Sequence, residues 1–76
     1  ITREDMCVII ARCLKVEDEV EMTYKDIHEI SDYAVDSVAV LTKLGVIHGN
    51  NGYFMPKNNA TRAETSKVLY NILKEE

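Results

Sequence analysis

Two arginines stand at matching places in this chain, each one residue after a threonine suited to cap a helix: Thr2-Arg3 and Thr61-Arg62. A helix start offers unpaired N–H groups and about half a positive charge, which favours a carboxylate. An arginine beside it adds a planar fork matched to the two carboxylate oxygens. Tyr33 could stack on a sugar face, and Gly49 could let a backbone approach closely. These residue types suit non-covalent recognition of a carboxylate-bearing ligand rather than bond making. Asp26 and Glu64 are further candidate ligand contacts, each with a structural reading beside it. Asp26 can brace a neighbouring segment, and Glu64 can complete a T-x-x-E capping box with Thr61. Ser31, Ser37 and Ser66 have no base at a motif spacing, and Asp32 and Asp36 at i, i+4 read as surface charge. His28 and His48 lack partners at metal-ligand spacing. Neither catalysis nor a cofactor or resident metal is expected.

The elements that position these residues repeat. Thr2-Arg3-Glu4-Asp5 opens an apolar stretch with Met6, Ile9, Ile10, Cys13 and Leu14. Thr61-Arg62-Ala63-Glu64 opens another with Thr65, Val68, Leu69, Ile72 and Leu73, offset by 59 (61 − 2) throughout. Both follow the stripe of an amphipathic helix. A repeat at fixed spacing marks units that cannot bury their faces alone. Between them, residues 15–23 read as an acidic, solvated connection. A second helix is expected over about residues 32–44, capped by Ser31 or Asp32 and stopped by Gly45. Asn51-Gly52, between Val46-Ile47 and Tyr53-Phe54-Met55, signals a tight hairpin. The expected fold is therefore all-α: a small helical repeat domain of about three helices, with a short β-hairpin-like turn before the last.

The chain has 76 residues, 46% hydrophobic, near the lower limit for a self-sufficient core. A start at Ile1 rather than Met is expected of an internal or processed piece. Its net charge of −4 disfavours bulk attachment to nucleic acid, and no apolar run approaches the roughly 20 residues of a membrane helix. Cys7 and Cys13, six helical steps apart, would lie roughly 9 Å from each other along the axis. That exceeds the reach of a disulfide, about 7 Å between Cα atoms, so both read as packing residues.

In order, the motifs are Tyr24-x-Asp26, Ile30, Tyr33-Ala34, Leu41-x-x-Leu44-Gly45-Val46-Ile47-x-Gly49, Gly52-x-Phe54-x-Pro56 and Thr61-Arg62-Ala63-Glu64. This succession resembles an S-layer homology module. Residues 24–76 correspond to one complete module, and residues 1–14 resemble the closing helix of a preceding one. The resemblance implies a non-catalytic, extracellular module of bacterial surface proteins that binds a pyruvylated secondary cell-wall polysaccharide. It also implies sister modules, commonly three about a pseudo-threefold axis. The motif arginine (Arg62, and Arg3 in the earlier copy), the helix aromatic (Tyr33) and the turn glycine (Gly49) would belong to the sugar grooves. Tyr33 stands where the family prefers Trp, Ala60 where it prefers Ile, and Glu4-Asp5 replaces Ala-Glu.

Two other readings are open. The chain could be an assembly repeat that packs with sister modules and binds no glycan. A calcium-binding helical module could draw oxygens from residues 26–36 and Asn50-Asn51-Gly52, but the EF-hand loop pattern is missing. With one full module and half of another, self-association of the isolated chain is also expected.

Overall fold

The computed structural model describes residues 1–14 and 22–74; most of the expected acidic connection, residues 15–21, lies outside the described residues. Helix α1 is Arg3–Leu14, α2 is Val35–Lys43 and α3 is Arg62–Lys74. Short 3-10 turns at Ile27–Glu29 and Asp32–Ala34 lead into α2.

Local chemistry sets the ends of these helices. At α1 the Asp5 amide donates to Thr2 Oγ1 at 3.3 Å. At α3 the capping box forms: the Glu64 amide donates to Thr61 Oγ1 and the Thr61 amide to Glu64 Oε2, both at 3.0 Å. Gly45 ends α2 at φ +75°. The Gly45 amide bonds to Thr42 O and the Val46 amide to Leu41 O, a Schellman arrangement that needs the left-handed residue between them. Ser31 flanks the start of the second helical segment but makes no side-chain cap bond.

The core lies where α1 crosses α2 and the chain folds back over both. Val38, Ala39, Val40 and Leu41 of α2 are all buried, so this helix is enclosed on more than one side. Phe54 fills the centre, with the Tyr24 ring 5.3 Å away. Helix α1 is rotated from the expected stripe: Cys7 and Ala11 are buried, whereas Ile9 and Cys13 are exposed. Polar anchors at its start explain the rotation, because Arg3 and Glu4 are each tied to the 48–57 segment and carry the residues one and two turns on toward the core. In α3 Val68 is buried, but Leu69, Tyr70 and Leu73 are exposed.

No strand forms among the described residues, so the hairpin-like turn is reduced to one bridged pair, Asn50 and Tyr53, around Asn51-Gly52. Asn51 and Gly52 do take positive φ, 54° and 86°. A ladder cannot extend because the Phe54 and Met55 amides donate to Asp26 and Pro56 has no N–H to offer.

Candidate ligand-binding site

An open groove of about 500 Å³ lies between the start of α1, the 46–59 connection and one face of α3. On α3 the face is Glu64, Lys67, Val68 and Asn71, one helical side by spacing. The connection contributes His48, Gly49, Asn50, Tyr53, Asn58 and Asn59. Amide side chains, a tyrosine and a lysine supply donors and acceptors for hydroxyl groups, an apolar face and a cation.

Arg3 is built into the wall. Its Nε donates to Phe54 O at 2.9 Å, one terminal nitrogen donates to His48 O at 3.1 Å, and the other pairs with Glu64. The guanidinium also sits 4.8 Å from the Phe54 ring centroid, within cation–π range. Gly49 is required by close approach: a Cβ there would stand 2.6 Å from Tyr53 O and 2.7 Å from the Tyr24 ring. Met55, which also lines the groove, holds φ 61°, a left-handed conformation that non-glycine residues rarely adopt.

Asp26 supports that wall. It is 3% exposed, and its two oxygens accept the Phe54 and Met55 amides, each at 2.8 Å. Burial pushes its pKa up, but these backbone bonds outweigh it and hold the carboxyl below its usual 3.8.

The two arginines have different surroundings. The amides of Arg3 and Glu4 donate to Asn58 O and Pro56 O, so the start of α1 is closed by protein. Arg62 is exposed, and neither its side chain nor the amides of Arg62 and Ala63 have a partner among the described residues.

Tyr33 lies apart from the groove lining. It is exposed, and its hydroxyl donates to Asp5 Oδ1 at 2.6 Å, which lowers the Asp5 pKa and raises its own. Nearby is a cluster that motif reading missed. Glu4, 1% exposed, receives Lys57 Nζ at 2.9 and 3.0 Å and the Ser31 amide at 3.1 Å. Ser31 Oγ also accepts from Lys57 Nζ. The signal in the sequence was the departure itself, a glutamate where the other copy has Ala63. Burial raises the Glu4 pKa, but the bonds from Lys57 and Ser31 and the lysine charge bring it below 4.5 on balance.

Of the six candidates, the structure thus brings Arg3, Gly49 and Glu64 to one groove, places Asp26 in support of its wall, and sets Tyr33 and Arg62 outside its lining. Lys67, Asn71 and Tyr53 join the groove without having been singled out by sequence.

Glu4 and Asp26, with the exposed Asp5 acting in the same direction, shape the pH response. Both are depressed in the fold, so the folded chain binds fewer protons than the unfolded one between the folded pKa values and the usual 4.5 and 3.8. Their stabilisation is therefore complete above this range and is lost as pH falls through it. Thermal melts taken downward through the carboxylate range should show a constant midpoint near neutrality and a progressive fall below about pH 4.5. A midpoint indifferent to acid would contradict the two bonded carboxylates.

Comparison with known proteins identifies the family. The S-layer homology domain model matches residues 23–66. The chain is 41% identical over 80 aligned positions to an amylopullulanase of Thermoanaerobacterium thermosulfurigenes. It is 39% identical to exoglucanase XynX of Acetivibrio thermocellus and 36% identical to an endoglucanase of Bacillus sp. (strain KSM-635). Each alignment covers 96% of this chain but only 4%, 7% and 8% of those relatives. No solved structure matches significantly. No described helix is long and apolar enough to cross a membrane. The chain belongs to the S-layer homology domain family, the non-catalytic modules that typically anchor secreted surface proteins to the bacterial cell wall.

Proposed function

We propose that this chain holds its parent protein at the cell wall by binding an anionic, pyruvylated polysaccharide. The groove between α1, the 46–59 connection and α3 carries this reading. Its asparagines suit sugar hydroxyls, Tyr53 offers a ring, and Lys67 offers a cation. Thr61 and Glu64 make the first turn of α3 part of the lining. Arg62, whose own amide, like that of Ala63, has no partner among the described residues, stands at that same helix start and suits the ketal carboxylate. The relatives' names suggest a polysaccharide-degrading parent, with the module as its tether. A following sister module would cover Leu69, Tyr70 and Leu73 of α3, as this module covers the corresponding residues of α1.

Calorimetric titration with pyruvylated and depyruvylated cell-wall polymer tests the proposal. Heat with the pyruvylated form alone supports it, and no heat with either supports a packing-only repeat. Arg62→Ala should weaken binding by about 1.5–3 kcal/mol, the range for a charge-assisted hydrogen bond. It should leave the thermal midpoint nearly unchanged, because the residue is exposed and without a partner among the described residues. Unchanged affinity would remove Arg62 from the site.

A further inference from the structure

Helices α1 and α3 carry one pattern, offset by 59 (61 − 2), yet they use different faces. The face that α1 buries against α2 and the 54–58 segment includes Glu4, Cys7, Ile10 and Ala11. The counterparts in α3 are Ala63, Ser66, Leu69 and Tyr70, and all four are exposed. Two helices of one chain therefore carry versions of the face that fits this seat, and something must decide which takes it.

Two exchanges make the decision. Glu4 meets Lys57 and the Ser31 amide inside the seat, and Ala63 has no oxygen to offer them. Ala11 is 5% exposed where it packs, so the ring of Tyr70 at that register would overfill the space. The discrimination also acts in the other direction. A Glu4 carboxylate placed on a seat without a cation would be buried unpaired, which is far more costly than a lysine turned out to water. Lys57 keeps a side chain 60% exposed, so it can be solvated when unpaired.

We infer that Glu4, with Lys57 and Ser31, is a key that assigns α1 to this seat and rejects other helices of the same repeat pattern. The partner that completes α3 is then a following unit of the same pattern with room for Tyr70. The key also works against self-association through exchange of these helices, since α3 of a second copy is a poor fit for this seat.

Cys7 reports on the seat. It is fully buried there, and burial pushes its thiol pKa up to about 12, so it should react with thiol reagents only when α1 leaves. In a Cys13→Ser background, Cys7 labelling and light scattering are followed against protein concentration. The parent should label slowly and at a rate independent of concentration. The variant E4A/A63E/Y70A moves the key to α3 and relieves the overfilling, so copies should associate and labelling should rise about tenfold or more with concentration. The variant A63E/Y70A changes only exposed positions, keeps the α1 key, and should show the same trend more weakly. A purely structural role for Glu4 would speed labelling equally at every concentration. Monomers with concentration-independent labelling in both variants would overturn the inference. Glycan binding does not enter these readouts, so the anchoring proposal and this one fail separately.

Discussion

Asp26→Ala is expected to lower the stability of the chain by about 3–6 kcal/mol, summed from two hydrogen bonds to a charged group at roughly 1.5–3 kcal/mol each. The Phe54 amide is buried and the Met55 amide partly so, and the substitution leaves both without an acceptor. The loss also releases Met55 from its positive φ, which a freed backbone has no reason to keep. Against a total of about 4–11 kcal/mol for a domain of this length, the variant should be close to unfolding at room temperature. Asp26→Asn keeps one acceptor oxygen and should recover part of the loss. Urea unfolding of the three proteins checks the order. An Asp26→Ala variant within about 1 kcal/mol of the parent would mean that water replaces the carboxylate without cost.

Lys57→Ala should cost about 3 kcal/mol, the lower end of the range for breaking a buried ion pair, because the lysine side of this pair reaches solvent. The damage comes from what remains: Glu4, almost without exposure, keeps a charge with no cation beside it. Glu4→Ala should cost less, since it leaves an exposed lysine and a single backbone amide to be hydrated. Combining Glu4→Gln with Lys57→Ala should restore much of the difference. Removing lysine should thus hurt more than removing glutamate, and unfolding midpoints showing the reverse order would contradict the burial of Glu4.

The two glutamates of the repeat show where sequence reading succeeds. Glu64 closes a box with Thr61 across three residues, and that bond depends on nothing outside the first turn of α3. Glu4 finds its partner 53 residues away, so no local spacing announces it. Arg3 and Arg62 make the same point about the site. One motif places both at a helix start, but Arg3 is enclosed by carbonyls 45 and 51 residues distant, while Arg62 has no such neighbours among the described residues.

By itself the sequence determined the three helices, the capping box of α3, the glycine stop after α2, the positive-φ turn at Asn51-Gly52 and the succession of motifs that marks the family. Apart from the motif succession, which runs from Tyr24 to Glu64, each of these rests on interactions within a few residues, which are the same wherever the segment finds itself. Tertiary structure alone decided the rotation of α1, the single bridge in place of a hairpin, the enclosure of Arg3 and the distance of Tyr33 from the groove. Those outcomes depend on which distant groups compete for a given amide, carboxylate or cavity. Asp26 took the amides that a hairpin ladder would have used, and Glu4 with Arg3 set the helix face that Ile9 and Cys13 lost.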